Sequence, residues 1–67
     1  MSPRKIGKVL KTLREASGLN QVALAKKARV TTAYVSLLES GKKKNPSLAV
    51  LQRLAKALGV PVTELLG

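Results

Sequence analysis

Apolar residues recur along this chain at helical spacing, in short runs cut by glycine or by small polar residues. Ile6, Val9, Leu10 and Leu13 follow i, i+3, i+4, i+7 and predict a first helix over about Arg4 to Ala16, with Lys5, Lys8 and Lys11 on its other face. Ser17-Gly18 ends it, glycine being suited to a left-handed helix cap. Asn20 is then a good N-cap for a second helix, Gln21 to Ala28, and Leu19 before the cap is placed to staple onto Leu24. The device repeats at once: Thr31 caps a third helix, Thr32 to Glu39 or Ser40, with Val30 set to reach Val35. Gly41 closes it, and Lys42 to Asn45 forms a basic loop. Ser47 caps a fourth helix, whose stripe of Leu48, Leu51, Leu54, Ala55 and Leu58 runs to Gly59. Val60 to Leu66 predicts a last short helix beginning near Pro61. Every segment reads as helix or short corner, so the fold class is all-α, a bundle of five helices within one domain spanning residues 1–67.

The second and third helices decide the reading. A corner of three or four residues joins them, two staples flank that corner, and the third helix has one apolar face and one small, hydroxyl-bearing face. The charge sharpens this picture. Thirteen Lys and Arg stand against Glu15, Glu39 and Glu64, a formal net charge of +10, which favours polyanions. Two helices held at a tight corner on a cationic body suggest a helix-turn-helix that binds double-stranded DNA.

Composition narrows the alternatives. The 45% hydrophobic content suffices for a core, and that core must be aliphatic because Tyr34 is the only aromatic residue. With no cysteine, histidine or aspartate, and with its glutamates scattered, the chain is expected to have no disulfide, metal site, cofactor or enzymatic activity. No small-molecule ligand is evident. The start, Met-Ser-Pro-Arg-Lys, leads into amphipathic sequence, so no signal peptide is expected. No run approaches the ~20 apolar residues needed to span a bilayer, and a membrane-surface peptide would be one continuous amphipathic helix. A cytoplasmic protein is the expectation. A basic RNA-binding domain is a weaker reading, since RNA readers stack bases on aromatics. An antitoxin-type or other interaction module that also binds DNA is a third.

With the corner and caps placed, L-N-Q-x-x-L-A (Leu19 to Ala25), Y-V-S-L-L-E-S-G (Tyr34 to Gly41), N-P-S-L (Asn45 to Leu48) and L-A-K-A-L-G-V (Leu54 to Val60) stand in order. From Ile6 to Leu66 the chain resembles the XRE/Cro-type helix-turn-helix family, which includes the DNA-binding domains of lambdoid phage repressors. The resemblance implies that the third helix lies in the major groove while the second crosses it with its N-terminus aimed at a phosphate. It also implies a homodimer on a two-fold symmetric operator that represses or activates transcription, a dimeric repressor being the expectation. By the same resemblance Gln21 and Tyr34 contact phosphates, and Arg14 and Glu39 form a structural pair tying the first helix to the end of the third. A partner cation would account for an acid at a helix C-terminus, where the dipole disfavours it.

With Val35 and Leu38 facing the core, the outward face of the third helix is Thr32, Ala33, Ser36 and Leu37, two i, i+4 pairs. Hydroxyls at Thr32 and Ser36 suit bases, and Ala33 and Leu37 suit thymine methyls. Lys42, Lys43, Lys44 and Asn45 follow directly and are candidate phosphate contacts. Val62, Leu65 and Leu66 are candidates for a dimer surface, unless they fold back on the fourth helix. Three positions depart from the family. The third helix lacks the Gln, Asn or Arg that read bases bidentately, which leaves more to groove shape. Arg29 stands where glycine is usual, so either the corner is built differently or strain is tolerated there. Pro61 replaces a common serine, and the last helix is expected to fray.

Overall fold

The computed structural model describes residues 3–66, with side chains from residue 6 onward. Among the described residues there are five helices and no strand: α1 (Pro3–Ala16), α2 (Gln21–Ala28), α3 (Thr32–Glu39), α4 (Leu48–Leu58) and α5 (Thr63–Leu66). The chain is thus all-α. The side chain of Lys5, expected on the polar face of α1, lies outside the described residues.

Three helices start on the same chemistry. Asn20 Oδ1 accepts from the Ala23 N–H at 2.7 Å, Thr31 Oγ1 from the Tyr34 N–H at 3.0 Å, and Ser47 Oγ from the Val50 N–H at 3.2 Å. Each cap satisfies a donor that the helix cannot pair internally, typically a contribution of about 1 kcal/mol. The helix ends repeat as well. Leu19, Val30 and Val60 donate to Arg14, Ala25 and Ala55, five residues back, while the residue before each donates to Glu15, Lys26 and Lys56. These are Schellman closures, and the residues in the left-handed position are Gly18, Arg29 and Gly59, at φ +72°, +60° and +71°.

Arg29 therefore occupies a position that glycine fills at the other two ends. The corner keeps its left-handed geometry, and the arginine bears the steric cost, on the order of 1–2 kcal/mol. Glycine would relieve it but lose more entropy on folding. Arg29→Gly is expected to gain about 1 kcal/mol net and raise the melting temperature by roughly 4–8 °C. A lower melting temperature would show that the arginine stem stabilises the corner by another route.

α2 and α3 pack on one another, α1 lies against α3, α4 against α2, and α5 against both α1 and α4. Leu10, Leu24, Val35, Leu38, Leu54 and Leu65 meet at the centre, all fully buried. Leu19 and Val30, the two staple residues, are partly buried against this core. One expectation is corrected here and one open alternative is decided. α5 begins at Thr63 rather than near Pro61, because Val60 is consumed in closing α4 and a proline disfavours helical backbone in the residue before it. Leu65, a candidate for a dimer surface with Val62 and Leu66 unless the tail folds back, is 1% exposed: α5 does fold back and inserts it into the core, which removes Leu65 from the dimer-surface candidates. Val62 and Leu66 are half-buried against the same core.

Candidate nucleic-acid interface

The α3 helix has two opposed faces. Val35 and Leu38 are buried, whereas Thr32, Ala33 and Ser36 are exposed and Leu37 is 42% exposed. An apolar side chain so open to water stands out on a helix whose other large residues are covered. Together these four side chains form a small, shallow ridge with two hydroxyls and two apolar tips.

Packing from three sides holds the ridge in place. At its C-terminal end, α3 meets α1 at Gly7. A Cβ built on Gly7 would come within 2.2 Å of the Leu38 carbonyl oxygen and 3.1 Å of that of Glu39. The glycine is needed for close approach of two helix backbones, since no side chain fits between them. In the sequence Gly7 is marked only as an isolated glycine inside an otherwise good helical pattern, which does not say what approaches it.

Beside that crossing, Arg14 Nε donates to Glu39 Oε2 at 2.6 Å and Nη2 to Oε1 at 3.0 Å, while Nη1 donates to the Leu19 carbonyl at 2.8 Å. This is the only ion pair among the described residues, with side chains 10% and 4% exposed. The hydrogen bond to Glu39 raises the Arg14 pKa above its ordinary value, against the burial that lowers it. A two-bond fork at low exposure locks α1, the start of α2 and the end of α3 together. Gln21, the first residue of α2, joins the same carboxylate: its Nε2 donates to Glu39 Oε1 at 3.1 Å. That bond orients the amide at the helix N-terminus, where free N–H groups favour an anion. Residue patterns did not reveal it, because side chains 18 apart in sequence meet only after folding.

On the opposite flank of the ridge lies Tyr34, half-buried. Burial pushes its phenol pKa up, and the positive charge of nearby Arg53 opposes the shift. The lysine loop does not fan out uniformly. Lys42, Lys44 and Asn45 are exposed, whereas the Lys43 ammonium lies 5.3 Å from the centre of the Tyr34 ring. The Lys43 N–H donates to the Leu37 carbonyl at 3.0 Å, so the loop backbone closes the end of α3 and starts the lysines beside it. Positive or donor groups thus border the ridge on both sides: Gln21 on one, Tyr34, Lys43 and Arg53 on the other.

A helix-turn-helix family model matches residues 10–65, which include the corner, the ridge and the lysine loop. The chain belongs to the XRE-type helix-turn-helix family. It is 37% identical over 62 residues to the immunity repressor protein of Bacillus phage phi105, covering 92% of this chain and 42% of the repressor. The chain therefore spans less than half the length of that relative. Among solved structures, the restriction-modification controller protein C.AhdI from Aeromonas hydrophila superposes with a TM-score of 0.90 at 38% identity, covering 94% of both chains. The N-terminal DNA-binding domain of SinR from Bacillus subtilis gives 0.91 at 34% identity, covering 96% of this chain and 93% of that one. SinR, a master regulator for biofilm formation, has also been crystallised with DNA. No group of residues among those described is arranged to hold a metal ion, and no helix is long and apolar enough to cross a membrane.

Proposed function

We propose that this chain is a sequence-specific double-stranded DNA-binding regulator of transcription, acting as a dimeric repressor on a two-fold symmetric operator. The observation that carries the proposal is the ridge of α3: four outward side chains on a helix anchored from behind, flanked by cations. The major groove, about 12 Å wide, admits such a helix. In this reading Thr32 and Ser36 bond base edges, Ala33 and Leu37 touch thymine methyls, and Gln21, Tyr34, Lys42, Lys43, Lys44 and Asn45 hold phosphates. Membership of the family and the DNA-bound SinR structure support it. Val62 and Leu66, half-buried at the tail, are the remaining apolar candidates for a dimer contact.

Selection of bound sequences from random duplexes is expected to return a palindrome with half-sites about one helical turn apart. On the selected site, Leu37→Ala should weaken binding by about 1 kcal/mol, roughly fivefold, and the loss should vanish on a site whose contacted thymine is replaced. Equal losses on every duplex would remove Leu37 from base readout. Failure to enrich any duplex, with tighter binding to RNA in competition, would replace the DNA reading by the RNA-binding one.

A further inference from the structure

Four cations sit together beyond the outward face of α3. The C-terminal turn of α2 and the outer side of α4 form an open cleft of about 480 Å³ lined by Lys27, Ala28, Arg29, Arg53, Lys56 and Ala57. No acid lines it, and the one ion pair among the described residues, Arg14 with Glu39, lies elsewhere. A concave cluster of four positive charges without a counter-charge repels itself, so its presence is unfavourable unless an anion is bound. The strained residue adds to this. Arg29 holds a left-handed backbone that glycine would adopt without steric cost, and its side chain is exposed at the cleft.

Position argues for the anion. Arg29 stands two residues before the Thr31 cap of α3, so the cleft opens beside the end at which the ridge begins. Arg53 is shared: it lines the cleft and is close enough to Tyr34 to act on its phenol. The flank of the ridge thus continues from the lysine loop through Lys43 and Tyr34 to Arg53 and into the cleft. A phosphate strand that borders a helix lying in the groove follows just such a path.

We propose that the cleft of Lys27, Arg29, Arg53 and Lys56 is a second phosphate seat, gripping the operator's backbone beyond the base pairs that face α3. This rests on the DNA-binding reading above. On it, Arg29 trades stability for affinity.

The test uses the whole chain and a selected duplex of ~30 base pairs, with Kd measured by anisotropy from about 50 to 300 mM KCl. The variants are Arg29→Gly, the pair Arg53→Gln with Lys56→Gln, and a charge-matched control, Lys8→Gln with Lys11→Gln on the outer face of α1. At low salt the cleft variants should bind about three- to tenfold more weakly for each cation removed, and the slope of log Kd against log salt should fall by ~0.9 per phosphate lost. Arg29→Gly is the sharpest arm, because it should melt higher and yet bind more weakly, which partial unfolding cannot produce. Cleft variants that bind like the parent overturn the seat and leave the cleft to an acidic protein, while the DNA reading stands. A control that loses as much as the cleft pair overturns it too, by reducing the effect to bulk charge. A parent chain that binds no duplex brings down both readings.

Discussion

Glu39→Ala is expected to unfold much of the protein near physiological temperature. The substitution leaves the Arg14 guanidinium at 10% exposure with one remaining partner, the Leu19 carbonyl, and frees Gln21. Removing one member of a buried pair costs about 3–5 kcal/mol, because the orphaned charge cannot regain its hydration. A domain of this length has on the order of 3–10 kcal/mol in total. Thermal melting followed by circular dichroism checks this. Glu39→Gln should fall between, since it keeps an acceptor but not the charge. Arg14→Met combined with Glu39→Leu should recover most of the loss, because no charge is then left buried. DNA affinity should fall with the folded fraction and somewhat further, because the freed Gln21 amide is no longer oriented toward the backbone phosphate. A Glu39→Ala protein that melts like the parent but no longer binds would instead place the carboxylate in the interface.

The second large effect is expected at Gly7. In a helix interior, alanine is ordinarily better than glycine by about 1 kcal/mol, so propensity alone predicts stabilisation. Packing predicts the reverse. The new Cβ would stand 2.2 Å from the Leu38 carbonyl, and backbone cannot swing aside as a side-chain tip can. α1 must lift from α3, a strain typically of 1–3 kcal/mol or more, and the Arg14–Glu39 fork is disturbed with it. The net expectation for Gly7→Ala is a loss of about 2 kcal/mol, a fall in melting temperature of roughly 8–16 °C. A rise would show that the helices have room to separate and that the close approach does not set the position of α3.

These two residues mark how far residue patterns reach. The bounds of α2 and α3 follow from caps and periodicity, since Asn20, Thr31 and Ser47 act within one helical turn of themselves. The outward face of α3 follows likewise, because Val35 and Leu38 fix which side turns inward. At Arg29 the sequence leaves two backbone options open, and only the tertiary structure selects the left-handed one. Contacts distant in the chain were less accessible. The Lys43–Tyr34 stack, the Gln21–Glu39 bond and the cationic cleft all join separate elements.

Leu65 shows the same division from the other side. An apolar tail looks equally suited to a partner subunit or to its own core, because hydrophobic burial is not directional. The amino-acid order by itself determined the helices, the ends of α2, α3 and α4, the faces they turn inward and the family, all of which depend on neighbours within a few residues or on motif order. The tertiary structure alone decided that α5 returns Leu65 to the core, that Gly7 admits α3, and that four cations from α2 and α4 share one cleft. Those depend on which elements meet and at what distance, which packing settles and local pattern does not encode.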